Sequence, residues 1–387
     1  MNILIVTEKF KIGGLERSIL KQIKYLEDNG HNVYLAIREY DNHNLIENRK
    51  NILYLPEKMF ASAEVLIKFV EKNNINIIHA HPFNTILCSI FASQVTQIPM
   101  VYTVHGLSSL NYTHRLEDDI LIRYFIGEVQ PNIFSVSQYY TKFLKEGYFN
   151  EKTTYLPNSI DMDSISLEGR IEVSKGIGVF VGRFSDDNVK ALKKFYENKS
   201  KYNLSKVDIY GHGNELEKLI ELVKLSKGFF EYKGISDNPL KTIEKYEVVL
   251  GIGQQVMEGI SLKKKVILIG YGKLSGYLNY EIYNQIKVNN FVNRFISNKE
   301  NLEFNEDDIE FIFEDFSKNY NSTSVNKIYL NTLIDAEFVN NDYIVEIFHM
   351  RNSDSLLNLC KEKILPNTLN PYILNSLKWG NNINTGN

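Results

Sequence analysis

Short apolar strand patterns and amphipathic helix patterns alternate along this chain, and the alternation runs through twice. It begins at Asn2–Thr7 (NILIVT), a continuous apolar run of the kind buried on both faces of a parallel sheet. A loop with Gly13-Gly14 follows, then a helix pattern from about Leu15 to Asn29 that Gly30 can terminate. HNVYLAI, INIIHAH, MVYTVHG and NIFSVS then recur with helical segments between them. From Gly178 the pattern restarts with GVFVGR, a helix through Lys190–Asn198, VDIYGHG, a helix through Glu215–Ser226, FFEYKG, a short helix, VVLGIG and KVILIG. Repeated β-α units bury both faces of a sheet only when the strands run parallel with helices on each side. The predicted fold class is therefore α/β, with two Rossmann-like doubly wound parallel-sheet domains facing a central cleft.

The chain has 387 residues, too many for one ordinary core. The two halves join near Leu156–Lys175, where LPNSIDMDSIS has the turn chemistry of Pro157, Asn158 and Asp161. Beyond about Asn298 the chain turns acidic and less periodic, and its last stretch (YIVEIFHMRNSDSLLNLCKEKIL, then LNPYILNSLKW) reads as amphipathic helix. Hydrophobic residues make up 43% and charged residues 24%, as in an ordinary globular protein. A net charge of -3 gives no bulk attraction to nucleic acid or to an anionic membrane. The cysteines Cys88 and Cys360 lie far apart in apolar patterns, which reads as buried thiols rather than a disulfide or a zinc framework. The opening MNILIVTEKF reaches a charge too soon for a signal peptide, and no run of about eighteen apolar residues occurs. The expected location is cytoplasmic. No repeat of solenoid length is present.

In open α/β sheets, ligands bind at the carboxyl ends of the strands. Gly13 and Gly14 follow the first strand and open a helix, where free N–H groups favour an anion; a plain tight turn explains them equally well. His79 and His81 end INIIHAH, and His79 reads as structural. His105 ends MVYTVHG and faces the expected site. Arg183 ends GVFVGR, where a guanidinium could hold a diphosphate through paired hydrogen bonds. Gly211 and Gly213 end the next strand, and Gly234 ends FFEYKG. The run YEVVLGIGQQVMEGI then breaks a strand on Gly251 and Gly253, passes Gln254 and Gln255, and carries one acid, Glu258. Such glycines let backbone approach a ligand closely.

Together these segments resemble the retaining nucleotide-sugar glycosyltransferases of family 4, which have the GT-B fold; the match covers roughly residues 1–285. GGLERSI resembles the family's GG-x-E loop, IIHAHPFNT and IPMVYTVHG its H-x-H and T-x-H-G segments, and YLPNSID its hinge. VFVGRFSDD and VDIYGHGNELEKL resemble its V-G-R-L and G-x-G segments, and the run 246–260 its E-x7-E donor loop. The resemblance implies that Glu258 receives the ribose hydroxyls and that Arg183, with Lys190, stabilises the leaving diphosphate. His105 would sit beside the donor sugar, so His105, Arg183 and Glu258 form the implied catalytic set. The implied donor site adds Gly13, Gly14, Lys190, Gly211, Gly234, Ile235, Gly251, Gly253, Gln254 and Gln255. Gly14 and His81 would face the acceptor, along with the NYTHRLEDD region.

The implied domains are residues 1–160 on the acceptor side, residues 161–340 on the nucleotide-sugar side, and helices in 341–387 that cross back to the first. Ile344, Ile347, Leu356, Leu359, Leu374 and Leu377 are the apolar positions expected to bury against residues 1–150. The implied function is transfer of a sugar from a nucleoside-diphosphate sugar to a glycan or lipid-linked acceptor, with retention of anomeric configuration, in bacterial surface polysaccharide biosynthesis. No cofactor and no metal are expected: fixed positive charge replaces the metal, and the D-x-D at Asp161–Asp163 belongs to the hinge turn. A peripheral contact with the inner membrane face would involve Lys21, Lys24 and Lys68, and no nucleic acid is expected. Three positions depart from the family pattern: Leu250 replaces the first acid of E-x7-E, Asn188 replaces a basic residue, and Ser159 replaces the hinge glycine. These losses motivate a second reading as a non-catalytic sugar-nucleotide-binding partner subunit. A nucleotide-sugar epimerase is a third, for which no convincing set of acids can be placed.

Overall fold

The computed structural model describes residues 1–10, 14–40, 46, 49–82, 85–106, 109–110, 116–165, 173–296 and 300–349. They divide into two compact units, residues 1–156 with the returning segment from 326, and residues 157–325. The chain thus leaves the first unit at Leu156/Pro157 and re-enters it at Val325/Asn326. Both points precede the breaks expected at 160/161 and 340/341. The sequence pattern marks turns and helices but does not say which core a helix joins.

The first unit carries β1 (Asn2–Phe10), β2 (Asn32–Tyr40), β3 (Ile52–Tyr54), β4 (Ile77–Ala80), β5 (Met100–Val104), β6 (Asn132–Ser135) and β7 (Thr153–Tyr155). They form one sheet in the order β3-β2-β1-β4-β5-β6-β7, and every pairing is parallel. All four residues of β4 and all five of β5 are buried, as expected of strands covered on both faces. The covering helices are α1 (Gly14–Asp28), α2 (Met59–Asn73), α3 (Ile86–Thr96), α4 (Leu116–Val129) and α5 (Gln138–Gly147). In α1 the buried positions Glu16, Ile19, Ile23 and Leu26 fall on one helical stripe, the spacing that packs a helix on a sheet.

The second unit repeats the plan with β8 (Ser174–Arg183), α6 (Asp186–Glu197), β9 (Lys206–His212), α7 (Leu216–Leu225), β10 (Phe230–Tyr232), α8 (Pro239–Ile243), β11 (Tyr246–Gly251), α9 (Gln254–Ser261), β12 (Lys265–Gly270) and β13 (Lys273–Tyr277). The order is β10-β9-β8-β11-β12-β13, parallel except for the β12–β13 hairpin. Helices α10 (Tyr280–Ile286) and α11 (Glu306–Asn319) complete it. The two Rossmann-like sheets expected from the alternation are both present, and in each the strand order reverses between the first strand and the fourth.

Helix α12 (Ser322–Ile334) begins in the second unit and ends in the first, and α13 (Asp342–His349) follows. Ile344, Ile347 and Phe348 of α13 are buried in the first unit's core, with the Phe348 ring 5.6 Å from Phe91 of α3. Gln94 fixes the approach: its Nε2 donates to the Val339 carbonyl at 2.9 Å, and its Oε1 accepts from the Asn341 N–H at 2.7 Å. Positions 356, 359, 374 and 377 of the tail, like Cys360, lie outside the described residues. Cys88 is a free, buried thiol whose burial pushes its pKa up to about 11. No helix among the described residues is long and apolar enough to cross a membrane.

Candidate functional site

In each sheet the reversal of strand order leaves a crevice beyond the strand ends, because successive crossovers depart to opposite faces there. In the first unit this point lies between β1 and β4, which places His81 and, one strand further, His105 at the carboxyl edge. The His81 N–H donates to the Val6 carbonyl at 2.7 Å, so this residue continues the ladder just past β4. His79 and His81 rings stand 4.1 Å apart, and His81 and His105 rings 6.0 Å apart.

The three rings differ in their partners. His79 is bonded on both sides, Nε2 to Thr103 Oγ1 at 2.8 Å and Nδ1 to Tyr329 Oη at 2.8 Å. That satisfies a fully buried imidazole and agrees with its structural reading. His81 is equally buried, yet neither ring nitrogen has a hydrogen-bond partner among the described residues. His105 is half-buried with its Nε2 sealed from solvent, and its backbone N–H donates to Ser109 Oγ at 3.0 Å. Removing water from around the rings disfavours the imidazolium and dominates all three titrations. It lowers His79 to about 3, with help from His105, and His105 to about 4, and it holds His81 well below its ordinary value. Near neutral pH the cluster is uncharged, so His81 and His105 can exchange hydrogen bonds with hydroxyl groups without bringing a fixed charge. Gly14 opens α1, is exposed, and has open space around it; Gly13 and most of the NYTHRLEDD stretch lie outside the described residues.

In the second unit the reversal lies between β8 and β11. Leu250 pairs with Phe180 of β8 on one side and Ile267 of β12 on the other, so Arg183, the Gly251–Gly253 loop and Gly270 all emerge at one edge. Arg183 is exposed and has no carboxylate partner among the described residues. The loop requires its glycines. Gly253 has φ 59° and ψ -121°, a conformation closed to residues with a Cβ, and it caps the start of α9. Its N–H is held by the Phe291 carbonyl at 2.8 Å. At Gly211 a Cβ would overlap the Gly182 carbonyl, so β8 and β9 approach here at backbone distance. Glu258 lies one turn into α9 and is buried at 7% exposure, with Gln254 Nε2 3.4 Å from its Oε1. Ile235, beyond β10, is 52% exposed for an apolar side chain.

Other expected site residues are engaged elsewhere. Gln255 braces the scaffold: its Nε2 donates to the Val181 carbonyl at 2.7 Å and its Oε1 accepts from the Ile252 N–H at 3.2 Å. Lys190 points along the exposed face of α6 and pairs with Asp186 at 2.6 Å, an i,i+4 contact. Asn188, at the position that departs from the family pattern, turns back so that its Nδ2 donates to the Arg183 carbonyl at 2.9 Å. Leu250 is fully buried in the core against Gly178. Asp161 accepts from the Ser164 N–H within the turn, and Asp163 accepts from Thr323 Oγ1 at the start of α12. Among the described residues no cluster of three or more His, Cys, Asp or Glu side chains has the gathering a metal ion needs. The sequence offered no sign of Tyr329 on His79 or of Phe291 on Gly253, because both pair segments far apart in the chain.

The family model for Glycosyltransferase Family 4 matches residues 12–164. No curated protein sequence matches the chain. Among solved structures, HepE of Anabaena in complex with UDP and glucose has a TM-score of 0.63 at 14% identity, over 86% of this chain and 99% of that one. TarM of S. aureus, a mutant in complex with UDP, alpha-GlcNAc-glycerol and Fondaparinux, gives 0.61 at 11% identity, over 87% and 100%. The lipopolysaccharide outer core galactosyltransferase WaaB gives 0.57 at 15% identity, over 86% and 99%. At such identities the likeness carries the fold, and that fold is GT-B.

Proposed function

We propose that this chain is a family 4 glycosyltransferase, a reading supported by the family match over residues 12–164 and by the GT-B fold, and that it transfers a sugar from a nucleoside-diphosphate sugar to a glycan or lipid-linked acceptor with retention of anomeric configuration. The observation that carries the reading is the edge of the second unit, where exposed Arg183 and the glycine loop before α9 emerge, with buried Glu258 one turn further along α9. A carboxylate in that position suits a ribose diol, and the first-turn N–H groups of α9 with a guanidinium suit a diphosphate. HepE and TarM, with UDP in their crystals, support a nucleotide as the ligand. The charge on the departing diphosphate would be met by Arg183 and the first-turn amides of α9, which need no reorganisation as the bond breaks. His105, neutral, would offer a hydrogen bond to a sugar hydroxyl.

On this reading the enzyme works in the cytoplasm, in contact with the inner membrane face where the acceptor is lipid-linked, and needs no metal. Turnover should survive EDTA; activity lost to chelation and restored by magnesium or manganese would overturn the metal-independent part. Buried Leu250, and Asn188 turned back onto the Arg183 carbonyl, favour one competing reading, a non-catalytic sugar-nucleotide-binding subunit. Incubation with UDP-, GDP-, ADP- and dTDP-sugars, following hydrolysis or transfer and the product's stereochemistry, decides between them. Release of sugar with retained configuration supports the enzyme; tight binding without turnover supports the subunit.

A further inference from the structure

A nucleoside diphosphate carries more negative charge than one guanidinium can offset, so the second unit should present another cation near Arg183. Lys190 is already paired with Asp186, Lys218 with Glu215, Lys233 with Glu231 and Lys287 with Asp315. Arg294 is exposed and, among the described residues, has no carboxylate partner. It follows the segment whose Phe291 carbonyl holds the Gly253 N–H. Its guanidinium carbon lies 5.8 Å from the centre of the Tyr271 ring.

Tyr271 belongs to the same edge. It forms the β12–β13 turn with Gly272; Gly270, just before it, packs on Ile252 of the glycine loop. The Gly272 N–H donates to the Asp187 carbonyl at 3.2 Å, which ties this turn to the first turn of α6, just past Arg183. Tyr271 has φ 50° and Gly272 φ 67°, the left-handed pair of a tight hairpin that favours Asn or Gly at its first position. A large aromatic held there, 41% exposed, does little for the hairpin itself. Strain of this kind concentrates where a side chain serves a ligand. Stacking on an aromatic face orients a guanidinium and leaves its N–H groups free.

We infer that Arg294, stacked on Tyr271, is a second anion-binding residue of the donor site and takes the terminal phosphate of the nucleoside diphosphate. The inference rests on the donor reading given above. Calorimetry with UDP and UMP on the full-length protein, Arg294→Gln, Tyr271→Leu and Arg183→Gln tests both, with thermal melting to verify folding. Arg294→Gln should weaken UDP about tenfold or more while UMP changes little, and Tyr271→Leu should act in the same direction by less. UDP affinity unchanged in folded Arg294→Gln, beside a weakened Arg183→Gln, would overturn the role of Arg294 alone. Equal weakening of UDP and UMP would take it off the terminal phosphate and overturn the assignment. Wild-type protein that binds none of UDP, GDP, ADP and dTDP would refute the donor reading itself and this inference with it.

Discussion

The hydroxyl of Tyr329 holds Nδ1 of His79 at 2.8 Å, joining residues 250 positions apart. Tyr329 reaches the first unit on α12, the helix by which the chain returns, and burial pushes its phenol pKa up. With the other nitrogen on Thr103, His79 is satisfied on both ring nitrogens. The bond therefore links the returning helix to the interior of the first sheet.

Tyr329→Phe removes that hydroxyl and leaves a buried ring nitrogen without a partner. The expected loss is about 1–3 kcal/mol of unfolding free energy, the cost of an unsatisfied buried polar group. Urea denaturation measures it. A stability equal to wild type would mean that the bond contributes nothing net.

The histidine cluster predicts how stability depends on pH. His79, His81 and His105 have folded pKa values below the ordinary one, so below about pH 6.5 the unfolded chain takes up protons that the folded chain refuses. Their contribution is intact above about pH 6.5 and falls as the pH drops toward the folded values, about 4 for His105 and about 3 for His79. The slope should approach about 1.4 kcal/mol per pH unit for each ring. Denaturation at pH 7, 6 and 5 reads the slope for wild type and for His81→Phe, which should be shallower by one proton. An identical slope in the variant would show that His81 titrates normally in the folded protein.

Glu258→Ala should weaken nucleoside diphosphate binding about tenfold to a hundredfold, on the order of 1.5–3 kcal/mol for a carboxylate that accepts two hydroxyls. Calorimetry on the folded variant makes the measurement. Unchanged affinity would remove Glu258 from the site.

Deletion of everything after Asn340 removes α13 and exposes the face of α3 that meets Ile344, Ile347 and Phe348. Each buried apolar side chain of this size is worth roughly 1.5–3 kcal/mol. The truncated protein should lose solubility and melt earlier, and its nucleotide affinity should fall with them. A truncation that stays soluble with full affinity would make this segment dispensable.

The local pattern of apolar residues determined the two parallel sheets, because a strand buried on both faces and a one-sided helix have different periods whatever surrounds them. NILIVT and VVLGIG could be read as interior strands for that reason, and the candidate residues lying next to such strands came with them: Arg183 at a strand end, Gly251 to Gly253 and Glu258 in one continuous run. Only the tertiary structure decided that Gln255 braces the Val181 carbonyl and Asn188 turns back to Arg183, that Lys190 pairs with Asp186, and that Tyr329, Phe291 and Arg294 reach His79, Gly253 and Tyr271. It also decided that the chain re-enters the first unit within α12 rather than beyond Asn340. Hydrophobic periodicity shows which face of an element must be buried. The partner is selected by loop geometry and by which buried polar groups remain to be satisfied, and both depend on residues distant in the chain.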